Sequence, residues 1–257
     1  MSTSMIGCHV LAVFAHPDDE SLACGGTLAR LADAGAEVTL MCASHGERGG
    51  ALGPVRDDAL GRQRSVEIQR AAEVLGIRRL FVWDHPDGEL RWAGVPEFHA
   101  DLVLFMRRHR PDAVITFGND GLYWHLDHVG VHERTTAAVM SLGADAPPLY
   151  YTTMARGVMP AFVHAAQQRG WTAPLKGFWS LVPEGFGIAA EPPTMTLDVG
   201  DWVARKMAAL GCHRSQMGDA PHPFEFIDEA DARRLLGMEY FHRADIPTRG
   251  ASVLETL

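Results

Sequence analysis

The sequence predicts an α/β fold: a doubly wound, mostly parallel sheet with a C-terminal elaboration. Three observations carry that prediction. Strand-length apolar runs alternate with helix-period segments through the first 155 or so residues, the pattern of βα units that builds parallel sheets. The chain has 257 residues, 47% of them hydrophobic, enough for one large α/β domain or two small ones with a sizeable core. The first apolar run ends abruptly in His16-Pro17-Asp18-Asp19-Glu20 and leads through Gly25-Gly26 into a helical pattern. A strand that delivers polar groups at its C-terminal end is how open α/β sheets present ligand-binding residues.

The elements follow in order. His9–Ala15 reads as a strand and Gly26–Ala34 as a helix, stopped by Gly35. Glu37–Ala43 is a second strand. Arg62–Leu75 is an amphipathic helix with Val66, Ile68, Ala71, Ala72 and Leu75 at its apolar positions and Gly76 as its stop. Arg79–Trp83 is a third strand. Phe98–Arg108 is a helix with Leu102, Val103, Phe105 and Met106 on its inner side, and Pro111 lies beyond its end. Ala113–Phe117, rich in β-branched and aromatic residues, is a fourth strand. His128–Leu142 is a helix and Leu149–Thr153 a fifth strand. Beyond that the pattern loosens. Pro160–Arg169 reads as a helix and the Gly-, Pro- and aromatic-rich stretch 171–193 as irregular. Thr194–Val199 reads as a strand, and Asp201–His213 and Glu229–Leu236 as helices. With no repeat, low-complexity tract or clean linker, residues 1–257 read as one domain. Its Rossmann-like core covers about 8–155 and its elaboration about 156–257.

Composition narrows the classes of function. The formal charge is −9 and no Lys/Arg-rich run exists, which argues against nucleic acid as a partner. Cys8, Cys24, Cys42 and Cys212 form no C-x-x-C pair and read as buried thiols in a reducing compartment. Residues Met1 to Gly7 carry no leader pattern, and no apolar run reaches membrane-spanning length. A cytoplasmic protein is expected.

Chemistry concentrates in two clusters. His16 and Asp19 flank a tight turn begun by Pro17, a spacing that lets an imidazole nitrogen and a carboxylate oxygen reach one cation. An Asp here could instead cap the next helix. Three acids beside a histidine repel one another unless a cation or protons compensate. His125, Asp127, His128 and His132 follow the fourth strand, at the same sheet edge. Either His128 and His132 pair one helical turn apart, or His125 and His128 both face the site from the loop. Two histidines and one aspartate with an open position suit catalytic zinc, and the same set suits Fe(II). A carboxylate and a histidine left off the metal are what metal-assisted hydrolysis needs. The Gly-rich segment Ser44–Gly53 follows the second strand at this edge and reads as a binding loop or lid, or else as a solvated connector.

Ala15-His16-Pro17-Asp18-Asp19-Glu20 together with His125-Leu126-Asp127-His128 resembles the LmbE/PIG-L family of zinc-dependent N-acetylglucosamine deacetylases. Gly46-Glu47, Arg64 and Glu67, Asp87-Gly88, and the segment from Lys206 to His213-Arg214-Ser215-Gln216 are similar to further family motifs. The resemblance implies that His16, Asp19 and His128 bind Zn²⁺, a ligand set that by its donor types also admits Fe²⁺, and that Asp18 is the general base. It implies that His125, oriented by Asp127, faces the acetyl carbonyl as electrophile or acid, and that Tyr123 reaches the tetrahedral intermediate. Glu47, Arg64 and Asp87 would contact substrate, and Glu20 would orient its neighbours or start the helix. The implied reaction releases acetate and a free amine from a small-molecule amino-sugar conjugate.

The chain also departs from the family. Trp124 and Leu126 stand where the second motif commonly has Gly and Pro, which adds bulk near the pocket and leaves the substrate open. His85-Pro86-Asp87 is half a first motif, and His85 reads as structural. Lys206 and His213 could line the site or be ordinary helix residues. An amidase acting on a thiol-sugar conjugate, a non-catalytic sugar- or nucleotide-binding module and an iron oxygenase are the alternatives, and homo-oligomerisation is open.

Overall fold

The computed structural model describes residues 4–49, 57–175, 178–217, 222–250 and 253–257. Strand β1 (His9–Phe14) is buried along nearly its whole length and runs into α1 (Asp19–Asp33). β2 (Glu37–Cys42), α2 (Asp58–Leu75), β3 (Arg79–Val82), α3 (Val95–His109) and β4 (Ala113–Phe117) continue the alternation. The one-turn segment α4 (Gly121–Trp124) then leads into α5 (Leu126–Met140) and β5 (Leu149–Thr153). After α6 (Val158–Gln168) and short 3₁₀ turns come β6 (Met195–Asp198), α7 (Val203–Leu210), α8 (Arg214–Met217), α9 (Glu229–Leu236) and β7 (Met238–Arg243).

The strands form one sheet in the order β3-β2-β1-β4-β5-β7-β6. β1 to β5 are parallel, and β7 and β6 add antiparallel strands beside β5. This is the expected doubly wound α/β architecture, with the C-terminal residues extending the sheet. The chain leaves β1 toward β2 and leaves β4 toward β5, so β1 and β4 flank the switch point, where ligands bind in open α/β sheets. Phe14 and Phe117, the last residues of those strands, meet edge to face at 4.9 Å and floor the crevice. Among the described residues, no helix is long and apolar enough to cross a membrane.

Three elements differ from the sequence reading for identifiable reasons. α2 starts at Asp58 because the Asp57 carboxylate accepts the Ala59 and Leu60 N–H groups, a capping interaction that outranks the weak apolar pattern there. α1 starts at Asp19 instead of Gly26, and Cys24 (φ −152°) breaks it into two segments. The second segment offers the Gly26 and Thr27 N–H groups to the Glu239 carboxylate at 3.0 and 2.7 Å. Glu239 also explains why β7 escaped the sequence reading. It sits beside Phe241 on the buried face of that strand, so the expected apolar alternation is interrupted by a charge. Lys206 Nζ neutralises it at 2.6 Å.

Candidate active site

The turn after β1 places His16, Asp18 and Asp19 at the crevice. His16 N–H donates to Asp19 Oδ2 at 2.8 Å, which ties the turn. Asp18 has φ 123°, a region costly for a residue with a Cβ. Its N–H donates to Glu20 Oε2 at 3.0 Å, and its carboxylate receives Arg64 Nη2 at 3.1 Å. On the β4 side, the His125 ring caps α5, accepting the Asp127 N–H at Nδ1 (3.3 Å). His128 lies one turn into that helix, stacked on Phe117 with centroids 4.0 Å apart.

The hydrogen bonds fix which nitrogen of each imidazole is free. His128 Nδ1 faces the Gly121 carbonyl at 3.1 Å, so Nδ1 carries the hydrogen and Nε2 presents a lone pair. His16 Nε2 faces Asp127 Oδ2 and Asp87 Oδ1, each at 3.1 Å, so it carries the hydrogen and Nδ1 presents the lone pair. The two free nitrogens are 3.3 Å apart. The Asp19 carboxylate lies 3.4 Å from His16 Nδ1 and 3.1 Å from His128 Nε2. Asp19 turns Oδ2 toward His16 and Oδ1 toward His128, so the carboxylate and two imidazole lone pairs line one space and suit a divalent cation.

Two other groupings also come within reach of one ion: His16 with His125 and His128, and His16 with Asp87 and Asp127. The first lacks a negative ligand, and its His125 Nδ1 is already occupied. The second would use the His16 nitrogen that donates to the two carboxylates. The Asp19-containing set is chemically preferable on both counts.

Electrostatics follow from this packing. Burial opposes a charge on His16, but Asp127, Asp19 and Asp87 outweigh it and hold the imidazole well above its ordinary range. Burial also raises Asp19, yet His128 and His16 pull it well below the usual carboxylate range. Burial pushes Asp18 up to about 6 against the pull of Arg64. His125 falls to about 3, through burial and then the neighbouring His128 and His16, and so stays neutral. Burial raises the Tyr123 phenol well above its ordinary value. Its ring packs 5.3 Å from His128 and 5.1 Å from Phe178.

Several candidate residues sit differently from their expected roles. The Asp127 carboxylate does not orient His125, which it meets only through its backbone N–H. It accepts from His16, from Gly88 N–H at 2.7 Å and from Leu90 N–H at 2.9 Å. Arg64, Glu47 and Asp87 are buried and engaged within the protein. Arg64 donates to the Gly46 and Pro17 carbonyls as well as to Asp18. A Cβ at Gly46 or Gly49 would fall onto that guanidinium, so these loop glycines make room for Arg64. Glu47 Oε1 accepts the Asp87 N–H at 3.3 Å, and Asp87 Oδ2 accepts the Arg48 N–H at 2.6 Å. Residues 50–53 of the candidate loop lie outside the described residues.

The remaining histidines separate cleanly. His132 Nδ1 bonds the Phe117 carbonyl at 2.9 Å and its ring lies against Tyr151, so His125 and His128 are the pair beside His16. His85 packs on Phe98 and pairs with Asp101. Lys206 belongs to the Glu239 ion pair. His213, in contrast, reaches Glu20 Oε1 at 2.9 Å. Glu67, one helical turn after Arg64, accepts the Ser215 N–H and hydroxyl at 2.8 and 2.6 Å and so anchors the segment that carries His213.

Comparison with known proteins identifies relatives of the chain. A model of the GlcNAc-PI de-N-acetylase (PIG-L) family matches residues 11–139. The 1D-myo-inositol 2-acetamido-2-deoxy-alpha-D-glucopyranoside deacetylase of Tsukamurella paurometabola is 34% identical, over 82% of this chain and 84% of that protein. The protein of the same name from Thermobispora bispora is 32% identical, over 90% and 86%. Among solved structures, N,N'-diacetylchitobiose deacetylase from Pyrococcus horikoshii superposes with a TM-score of 0.60 at 23% identity, covering 92% of this chain and 83% of that one. A 4-carboxy-2-hydroxymuconate hydratase from Pseudomonas putida gives 0.64 at 21%, covering 95% and 99%. The two structures show the shared fold alone, and they carry different reactions. The sequence matches go further: the chain belongs to the PIG-L family of GlcNAc-PI de-N-acetylases.

Proposed function

We propose that the chain is a zinc-dependent hydrolase that removes the N-acetyl group from an N-acetylglucosamine-type conjugate, releasing acetate and a free amine. The observation that carries this reading is the convergence of the His16 Nδ1, His128 Nε2 and Asp19 lone pairs at 3.1–3.4 Å. These three residues would hold the metal, and Asp87 and Asp127 would fix the His16 ring from behind. A bound Zn²⁺ polarises an amide carbonyl and acidifies water. Fe²⁺ fits the same ligands.

The chain's own residues supply the rest. Asp18 takes a proton from the attacking water and returns it to the departing amine. Its carboxyl, pushed up to about 6, is matched to both tasks. Arg64 and Glu20 fix its position. His125, neutral and holding Nδ1 as an acceptor, presents Nε2–H as a donor to the oxygen that becomes negative. Tyr123 remains a neutral phenol and is a second donor beside it. Arg64 acts on substrate through Asp18 and Asp87 through His16, the groups they hold, and Glu47 supports Asp87. The named activity of the relatives, deacetylation of an amino sugar linked to inositol, supports the substrate class.

Product analysis tests the reading. Zinc-loaded protein incubated with a panel of N-acetylglucosamine conjugates is expected to yield acetate and the corresponding amine in equal amounts by mass spectrometry. Release of a larger acid from another amide, with no acetate from any conjugate, would contradict it.

A further inference from the structure

The short turn before His125 holds a strained backbone. Leu122 (φ 68°) and Trp124 (φ 66°) both lie in the left-handed region, where a residue with a Cβ is costly. Such strain persists where the surrounding structure imposes it, and it gathers at segments that hold ligands. Between these two residues, the Tyr123 ring packs against His125 and His128 on one side. On the other it meets Phe178 and Phe186, with centroids 5.1 and 5.2 Å away. The Gly187 N–H donates to the Leu122 carbonyl at 3.4 Å, which sets the chain at Ile188 beside the same turn.

Burial falls off outward from the metal-binding residues. His128 is buried, and Tyr123 and His125 are half-buried. Trp124, Leu126 and Ile188 are 55%, 46% and 50% exposed. Trp124 and Leu126 directly flank His125 in the chain, so their Cα atoms stand about 3.8 Å from its own. The outer rim on this side of the site is therefore apolar, and its most prominent side chain is an indole held in place by a costly backbone.

The substrate itself covers this rim. In a glycoside of N-acetylglucosamine the aglycone sits on the carbon next to the one that bears the acetamido group. When the acetamido group reaches the metal-binding residues, the aglycone is still close to His125 and its chain neighbours. A polyol held against Trp124, Leu126 and Ile188 would shed water and gain few hydrogen bonds in return. A flat apolar group would instead bury apolar surface and stack on the indole.

We propose that Trp124, supported by Leu126 and Ile188, determines specificity by receiving an apolar aglycone, in place of the inositol named for the relatives. Trp124 and Leu126 are also the positions at which the chain departs from the family's second motif. The inference rests on the proposed deacetylation of an amino-sugar conjugate and adds the class of group that the sugar carries.

Acetate release by the zinc-loaded full chain from two α-glycosides of N-acetylglucosamine, one of phenol and one of inositol, tests the proposal. The phenyl glycoside is expected to show a kcat/KM at least about 10-fold higher, with the difference in KM. Trp124→Asn keeps a residue that tolerates the left-handed backbone and replaces the indole by a polar amide. It should raise KM for the phenyl glycoside and bring the ratio of the two kcat/KM values near 1. Trp124→Tyr, which keeps an aromatic face, should retain most of the preference. A thermal melt establishes that each variant is folded. An equal fall in kcat on both glycosides in Trp124→Asn, with the ratio unchanged, would show that the residue only supports His125 and would overturn the proposal. Acetate release from the inositol glycoside with an equal or higher kcat/KM in the parent would overturn it too, and would leave the proposed reaction standing. Acetate from no conjugate at all would overturn both.

Discussion

His213 Nε2 lies 2.9 Å from Glu20 Oε1, while the other oxygen of that carboxylate accepts the Asp18 N–H at 3.0 Å. A residue from the C-terminal elaboration thus supports the positive-φ backbone of Asp18. Burial works against a charged His213, but Glu20 holds its imidazole above the ordinary range. His213→Ala should lower kcat by about 10- to 100-fold through misplacement of Asp18 and leave bound zinc unchanged. His213→Gln, which can still donate to Glu20, should recover part of the loss. Steady-state kinetics with metal analysis on both variants would decide it, and an unchanged kcat in His213→Ala would refute it.

Trp124 has φ 66° and is 55% exposed. A tryptophan in the left-handed region costs about 1–2 kcal/mol, which glycine avoids. The family's second motif commonly places glycine here. Trp124→Gly should therefore stabilise the fold by up to about 1 kcal/mol, once the extra entropy of an unfolded glycine is subtracted. Denaturant unfolding measures this, and a loss of stability would show that Trp124 makes compensating contacts.

Glu239 joins β7, α7 and the second half of α1 through Lys206 Nζ, Gly26 N–H and Thr27 N–H. Removing one partner of a buried ion pair costs about 3–5 kcal/mol, because the remaining charge is stranded. Glu239→Ala should lose stability on that scale in a urea titration, and Glu239→Gln, which still accepts hydrogen bonds, should lose less. Equal stability of Glu239→Ala and the parent would contradict the structural role.

His222 is buried with Nε2 accepting from Trp179 Nε1 at 2.6 Å. Burial pushes its imidazole down from 6.5 to about 4. The unfolded chain therefore binds the proton more readily. The stability this neutral histidine contributes is complete above pH 6.5 and is lost as pH falls from there toward 4, by up to about 3 kcal/mol. His222→Phe should flatten the dependence of unfolding free energy on pH across that window. An unchanged slope would mean that another group sets it.

Much of the fold was legible because β1 to β5 are buried apolar runs and the helices between them carry regular apolar faces. β7 was hidden by Glu239, whose partners lie on α1 and α7. In the site, the placement of His16 and Asp19 after β1 and of His125 and His128 after β4 followed from strand ends alone. The choice between His125 and His132 as the companion of His128 did not, because it depends on where α5 begins. The engagement of Asp127 with His16, 111 positions away, left no local signal. Neither did the contact of His213 with Glu20, 193 positions apart. The family resemblance implied that Arg64, Glu47 and Asp87 contact substrate, whereas in the fold they bond to neighbours within the protein.

Acetate release followed as zinc is titrated into chelator-treated protein, with bound metal counted in parallel for the parent and Asp18→Ala, tests the central claim most directly. The parent's activity should rise in proportion to zinc and level off at one ion per chain. Asp18→Ala should bind the same zinc and lose activity by a factor of at least about 100. Full activity in metal-free protein, or an active zinc-loaded Asp18→Ala, would contradict the account.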